Sequence, residues 1–456
     1  MCGLGGYILR NPDDRTERLS MLLAGVRERG PDDEGAVLID SSSGDMRRLS
    51  TDRSVARVRA RDPRLGVAAS SHDVAFAHAR YAVIDLSDAA HQPFVSRDGS
   101  IVAVLNGELY NHVELRAELA AEGHVTHTAS DTEVLVEGYR VWKDGLWERL
   151  NGFWAVLLFD AGEGTVVASR DRLGVAPLYL RETADGVYFS SRIRPLLDLA
   201  PHAIDRDAVR GFIDTGIKDH DEGTFYREVR SFPAASVMTI PVRRRESGSK
   251  PLRRFWSMPN DRMLHTDLSL DDAAAGLHAR LVRAVELRLR SDVRVAFELS
   301  GGLDSSSIVA AAAELGVQPR VYTISVPERD EVPFARAVAR RFGLSHTVLP
   351  AGEGALVSQA GALARIMEEP YHSPNVFTSL AMRREIRARG DAVVVSGAGG
   401  DEVLGGYEHE FWDAARPALW SEGAHWHVIR HAIAHRAGSW ARARHSLREV
   451  IGAGKR

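Results

Sequence analysis

Two stretches of the chain carry residue types whose spacing suits chemistry. The first is Ser300-Gly301-Gly302-Leu303-Asp304-Ser305-Ser306, set between an apolar run, Val293 to Leu299, and the helix-forming run Ser307 to Leu315. A glycine-rich turn from a strand into a helix is an anion cradle: backbone N–H groups approach closely, the helix dipole favours negative charge, and serine hydroxyls add donors. The same glycines could serve only to satisfy positive φ; Asp304 and the three serines favour the cradle. No Gly-Lys-Ser/Thr closes the turn, so it is not a Walker A loop. A carboxylate in place of the lysine suits a pyrophosphate held with Mg²⁺, which commonly takes one or two carboxylates plus phosphate oxygens.

The second is Cys2, the only cysteine. If Met1 is removed, the thiol and the α-amine share one residue, and an amine of ordinary pKa near ~7.7–8.0 can act as general base for the nucleophile beside it. Gly3, Gly5 and Gly6 next to it are expected to let a substrate approach the strand closely. Chemistry on a glutamine amide needs three further things. Arg80 could form a bidentate fork on the α-carboxylate. Glu108 and Asp131 could receive the α-ammonium. The Asn106 amide and the Gly107 N–H could stabilise an oxyanion. Singly, each residue has a plain alternative: a surface arginine, a hairpin turn at Asn106-Gly107, a helix N-cap at Asp131.

Taken together, Arg29-Gly30-Pro31-Asp32, His78 to Asp85, Asn106 to Asn111, Ser130-Asp131, Leu150 to Ala155 and Ser169 to Tyr179 resemble the class II glutamine amidotransferase domain over roughly residues 2 to 200. The resemblance implies a sandwich of two antiparallel sheets flanked by helices, of the N-terminal nucleophile type. It implies Cys2 as nucleophile, Arg80 and Asp131 as glutamine ligands, and Asn106 and Gly107 as the oxyanion site. The turn at Ser300 in turn resembles the pyrophosphate-loop ATP-pyrophosphatases. With Ser396-Gly397-Ala398-Gly399-Gly400-Asp401-Glu402 it resembles their asparagine-synthetase branch. That branch implies ATP as cosubstrate and adenylation of a carboxylate. It implies nucleotide contacts from Leu299, Ser300, Gly301, Gly302, Asp304, Ser305, Ile324, Ser396 and Gly397, with Asp304 and Asp401 on Mg²⁺ and Glu368-Glu369-Pro370 as a companion segment. Two departures stand out. Ala398 sits where synthetases that make asparagine usually carry an acidic residue, which leaves aspartate or another small acid open as acceptor. Only Glu408 to Arg456 follow Tyr407, far fewer residues than the branch usually has. The synthetase half is then naturally short, completed by a partner, or compromised, and the protein could instead be an ammonia-supplying glutaminase subunit.

These sites need scaffolds. With 456 residues, 44% hydrophobic and 26% charged, the chain has room for two or three cored domains. A net charge of −4 argues against bulk nucleic-acid binding. No apolar run approaches the ~20 residues of a membrane span, and no basic-then-apolar leader opens the chain. One cysteine allows no internal disulfide and suits the cytoplasm. We divide the chain into a glutaminase domain (2–204), a connector (205–262) and an ATP-pyrophosphatase domain (263–456). Gly152–Asp160 and Thr165–Ser169 read as neighbouring buried strands. From Leu268 onward helices (Asp271–Arg290, Val332–Phe342, Ser379–Arg389) alternate with strands (Arg320–Val326, Ala392–Ser396), the pattern of a parallel α/β sheet with sites at the strands' carboxyl ends. Arg243 to Arg245 read as a solvated loop. Trp412, Trp420, Trp426 and Trp440 form either a surface for a second copy or a partner protein, or an ordinary amphipathic helix pair. His91, His346 and His372 read as hydrogen-bonding histidines outside any metal cluster.

Overall fold

A computed structural model describes residues 1–66, 71–242, 252–259, 267–326, 330–350, 355–371, 373, 375–404 and 406–407. The four tail tryptophans, His372 and Arg243 to Arg245 lie outside the described residues. In chain order the strands are β1 (Gly3–Asp13), β2 (Asp33–Asp40), β3 (Asp45–Leu49), β4 (His72–Arg80), β5 (Phe94–Val95), β6 (Ile101–Leu109), β7 (Gly152–Asp160), β8 (Thr165–Arg170), β9 (Tyr179–Glu182), β10 (Gly186–Ser190), β11 (Arg230–Ser231), β12 (Ser236–Pro241), β13 (Arg253–Arg254), β14 (Val295–Glu298), β15 (Arg320–Ser325), β16 (His346–Pro350) and β17 (Val393–Val395).

The amino-terminal half is a four-layer sandwich. One sheet runs β11-β9-β10-β1-β4-β2-β3 and the other β13-β12-β8-β7-β6-β5, with antiparallel pairing throughout. Strand alternation decides which side chains meet. Leu4 and Ile8 of β1, Phe76 of β4, and Val102 and Val104 of β6 fill the gap between the sheets. Leu19, Leu22 and Val26 of the helix Glu17–Val26 cover the outer face of the first sheet. Val134, Leu135 and Trp147 cover the outer face of the second. Residues 230–254, set within the connector on sequence grounds, supply β11 to β13 to both sheets.

The glycines after Cys2 do not open a path for substrate. A Cβ on Gly3 would lie 2.4 Å from the Val26 carbonyl oxygen, and one on Gly6 would lie 2.8 Å from the Phe76 ring. They let a helix and the facing sheet close on the nucleophile strand, so their role is packing.

The carboxyl-terminal half is a parallel sheet in the order β16-β15-β14-β17. Its helices include Leu270–Arg288, Leu303–Glu314, Val332–Phe342 and Asn375–Ala388. Chain order reverses at β14, which lies between β15 and β17, and the crevice at such a switch point is where open α/β sheets bind ligands. The helix expected from Ser307 starts earlier, at Leu303, with Gly302 as its N-cap. Asp304 and Ser305 therefore stand in its first turn. Within the segment His78 to Asp85 the strand β4 ends at Arg80, and the Arg80 guanidinium bonds the carbonyls of the loop that follows.

Candidate active sites

Cys2 is buried at the head of β1, 6% exposed. Its Sγ accepts the Tyr81 N–H at 3.3 Å and lies 3.7 Å from the Tyr81 carbonyl oxygen. The Arg29 Nε–H donates to the Cys2 carbonyl at 2.9 Å. The β1–β4 register pairs Gly3 with Ala79 and Leu4 with His78, and its continuation sets Cys2 beside Arg80. Burial pushes the thiol pKa up; the chain's terminal amine, the Tyr81 N–H and Arg80 pull against it. That amine belongs to Met1 here, and burial lowers its pKa, the direction that makes an amine a better base near neutrality.

A cavity of about 240 Å³ opens in front of the thiol, lined among others by Arg80, Tyr81, Gln92, Gly107, Glu108 and Asp131. Arg80 already donates to the carbonyls of Ile84, Asp85 and Ser87, which holds its guanidinium in place at the cavity wall. Glu108 ends the polar stretch of β6, and its pKa is pushed up to about 8 by burial and by the neighbouring Asp131. Asp131 opens the helix Asp131–Trp142, whose N-cap is Ser130 rather than Asp131. It accepts the Leu109 N–H at 3.0 Å, and burial raises its pKa too. Two buried carboxyls and a guanidinium around one small cavity suit a zwitterion, whose ammonium and carboxylate would offset their desolvation.

Asn106 and Gly107 lie inside β6, not in a hairpin turn. Asn106 is fully buried, and neither its Oδ1 nor its Nδ2 has a hydrogen-bond partner. An unpaired buried amide costs roughly 1–3 kcal/mol, so its persistence points to a ligand that supplies the missing partner. By alternation from Val102 and Val104 its side chain faces the gap between the sheets, as Cys2 does from Leu4 and Ile8. A Cβ on Gly107 would lie 2.0 Å from the Phe153 carbonyl oxygen, so only glycine fits there. Sequence reasoning did not single out His78 or Gln92. The His78 Nε2–H donates to the Leu105 carbonyl at 3.0 Å, and the Gln92 Oε1 accepts the Leu105 N–H at 2.7 Å. Together they pin the peptide that precedes Asn106. Burial drives the His78 pKa down to about 3, so its ring is neutral. His91 and His346 bond Asp33 at 2.7 Å and Thr323 at 2.8 Å.

The second site lies at the carboxyl ends of β14, β15 and β17. Ser305 Oγ accepts the Ser300 N–H at 3.2 Å and lies 3.0 Å from Ser300 Oγ. Gly301 has φ +83°, and a Cβ there would lie 2.5 Å from the Ala335 nitrogen, so the turn depends on glycine. Thr323 Oγ1 donates to the Leu299 carbonyl. The second glycine-rich turn packs on the first: a Cβ on Gly397 would lie 2.9 Å from the Ser305 nitrogen, and one on Gly400 would lie 2.5 Å from Asp304 Cγ. Ser396 and Gly397 follow β17, and Ile324 stands near the end of β15. Asp304 is thereby brought against the turn that carries Asp401. Among the described residues no group of three or more His, Cys, Asp or Glu forms a metal cluster. Two carboxylates beside a glycine-rich turn at a helix N-terminus are a donor set of the kind that would fit Mg²⁺.

The comparisons match both halves of the chain. A glutamine amidotransferase domain profile matches residues 45–256, and an asparagine synthase profile matches residues 276–453. A Methanocaldococcus jannaschii protein with the provisional name asparagine synthetase [glutamine-hydrolyzing] 2 is 28% identical over 89% of this chain and 76% of its own length. "Asparagine synthetase [glutamine-hydrolyzing] 3" of Bacillus subtilis is 30% identical over 74% of this chain and 56% of its own. "Amidase chyE" of Penicillium rubens is 32% identical over 77% of this chain and 53% of its own. The chain thus spans from about half to three quarters of the length of these relatives. It is similar to glutamine amidotransferase domains over residues 45–256, to asparagine synthases over residues 276–453, and to relatives that bear the name of glutamine-hydrolysing asparagine synthetases.

Proposed function

We propose that the protein is a glutamine- and ATP-dependent ligase that amidates a carboxylic acid, with aspartate as the leading acceptor. The observation that carries this reading is the pocket in which a buried thiol, a fixed guanidinium and two carboxyls surround one cavity, with the unpartnered Asn106 amide buried between two of its lining residues, Leu105 and Gly107. Glutamine binds with its α-carboxylate at Arg80 and its α-ammonium at Glu108 and Asp131. The Cys2 thiolate attacks the side-chain amide, and the oxyanion forms at Asn106 Nδ2 and the Gly107 N–H. Ammonia leaves, a thioester remains on Cys2, and water releases glutamate. The base is the α-amine, carried by Cys2 once Met1 is removed.

At the second site Ser300, Gly301, Gly302 and Ser305 hold the phosphates of ATP, with Leu299, Ile324, Ser396 and Gly397 around the rest of the nucleotide. Asp304 and Asp401 would hold Mg²⁺, which would neutralise charge on the leaving pyrophosphate. The acid becomes an acyl-adenylate, ammonia displaces AMP, and an amide forms. Ammonia that travels through the protein interior avoids protonation in bulk water. The free cysteine and the absence, among the described residues, of a helix long and apolar enough to cross a membrane are compatible with a cytoplasmic protein.

Ala398 favours a second reading of the acceptor. The turn that packs on Asp304 presents a methyl group at that position, so no carboxylate there serves acceptor chemistry, and another small acid competes with aspartate. A glutaminase subunit completed by a second copy or a partner protein is the remaining form of the proposal. Glutamate release and AMP formation, followed side by side over a panel of carboxylic acids, test all three. Both products with aspartate establish asparagine formation. Both with another acid establish the second reading. Glutamate without AMP for every acid turns the search to a partner.

A further inference from the structure

The helix Asn375–Ala388 touches both candidate sites. Arg383 and Arg387 are four residues apart and share one of its faces. Arg383 pairs with Glu298 at 3.0 Å, and Glu298 is the last residue of β14, directly before Leu299 and the nucleotide loop. The Arg387 guanidinium lies over the Tyr81 ring, 5.0 Å from its centroid, and donates to the Tyr81 hydroxyl at 2.9 Å. That hydroxyl in turn donates to the Ala392 carbonyl at 2.8 Å, just before β17. Tyr81 is the residue whose backbone N–H and carbonyl bracket the Cys2 sulfur. One turn of one helix thus separates a contact to the nucleotide strand from a contact to the residue that places the thiol.

We propose that this helix couples the two sites. Arg387 is a positioning residue that holds Tyr81, and through it the Cys2 thiol, in the reactive place. Arg383 ties the same face to the strand entering the nucleotide loop, so that nucleotide bound at the loop changes the reactivity of Cys2. The proposal rests on the function proposed above for the loop, yet it can be read without turnover. Cys2 is the only cysteine of the chain, so alkylation by iodoacetamide reports on it alone. Both arginines are exposed, and their substitution leaves the core intact; thermal midpoints close to the parent's would show this.

The experiment measures the alkylation rate and the kcat and KM of glutamine hydrolysis with and without MgATP, in the full chain and in its Arg383→Ala and Arg387→Ala variants. MgATP is expected to change the alkylation rate of the parent by about fivefold or more, the lower end of ordinary coupling. Arg383→Ala should keep the rate seen without nucleotide and lose the response. Arg387→Ala should lower kcat roughly tenfold or more, as small displacements of reacting groups do, with KM little changed. Arg387→Lys should recover part of that loss through its retained charge. A parent that does not respond to MgATP, an Arg383→Ala variant that responds like the parent, or an Arg387→Ala variant with parental kcat and alkylation rate overturns the coupling. A parent that releases no glutamate at all contradicts the proposed function instead, and the alkylation rates still decide the coupling.

Discussion

The two sites of this chain are built in opposite ways. The thiol pocket sits on central strands of a closed sandwich, between two sheets and under a helix, and its key amide is buried before any ligand arrives. The glycine-rich loop at Ser300 stands at the open end of a four-stranded parallel sheet. Its serines bond one another, and Leu303 and Val403 beside it are 81% and 80% exposed. The first site fixes Arg80 and Asp131 on backbone groups and leaves the Asn106 amide unpaired. The second spends its side-chain hydrogen bonds on its own shape and leaves charge to be brought by ligand and ion. Preorganised donors accelerate the chemistry of a developing oxyanion, whereas a phosphate cradle needs mainly backbone N–H groups and a helix terminus. The contrast matches the two half-reactions proposed for them.

The largest effect that would break the contrast is at Cys2. Cys2→Ala should reduce glutamine hydrolysis by roughly 10⁴-fold or more, as loss of a nucleophile does, with ATP–pyrophosphate exchange unchanged; steady-state glutamate release and exchange on the same preparation check this. Next, Asn106→Ala should lower kcat about 10²–10³-fold, the usual cost of one oxyanion donor. It should leave the thermal midpoint level or raised, because the unpartnered amide is gone. A third substitution acts on the open site alone. Gly301→Ala forces a Cβ into the Ala335 backbone at positive φ, a strain of about 1–3 kcal/mol, and should depress exchange while glutamate release persists.

The smallest effect is in pH. Glu108 has a pKa raised by burial, then by Asp131, to about 8, so at neutrality it is largely protonated and binds an ammonium weakly. KM for glutamine should fall as pH rises through about 8, and Glu108→Gln should flatten the profile. The linked stability has the opposite sign. A carboxyl whose folded pKa lies above its unfolded value stabilises fully below the unfolded pKa and loses that contribution as pH rises through the folded one. The parent should therefore lose thermal stability between pH 5 and pH 9 more steeply than Glu108→Gln, by about a few degrees in differential scanning calorimetry.

Much of this was legible in the chain, and the reasons differ by residue. Cys2, Arg80, Asn106 and Asp131 stand in ordered motifs, and the helix Val332–Phe342 has the bounds its periodicity predicts. His78 and Tyr81 fall in the motif segment His78 to Asp85 without a role of their own in it, and Gln92 falls outside every motif. Their work is done by hydrogen bonds to the backbone of Leu105 and to the Cys2 sulfur, across separations of 13 to 79 residues, and nothing local marks such a partner. The glycines of β1 were misread for a related reason: what a missing Cβ makes room for depends on which element packs there. The place of residues 230–254 escaped local reading because strands as short as β11 and β13 have no period of their own and are strands only by virtue of their neighbours.

The most direct test of two separate sites is amide formation by the Cys2→Ala chain with MgATP and the accepted acid, supplied with either glutamine or ammonium chloride. The division of labour described here predicts amide and AMP with ammonium and none with glutamine. Amide formation from glutamine without Cys2, at a rate near that of the parent chain, would contradict it.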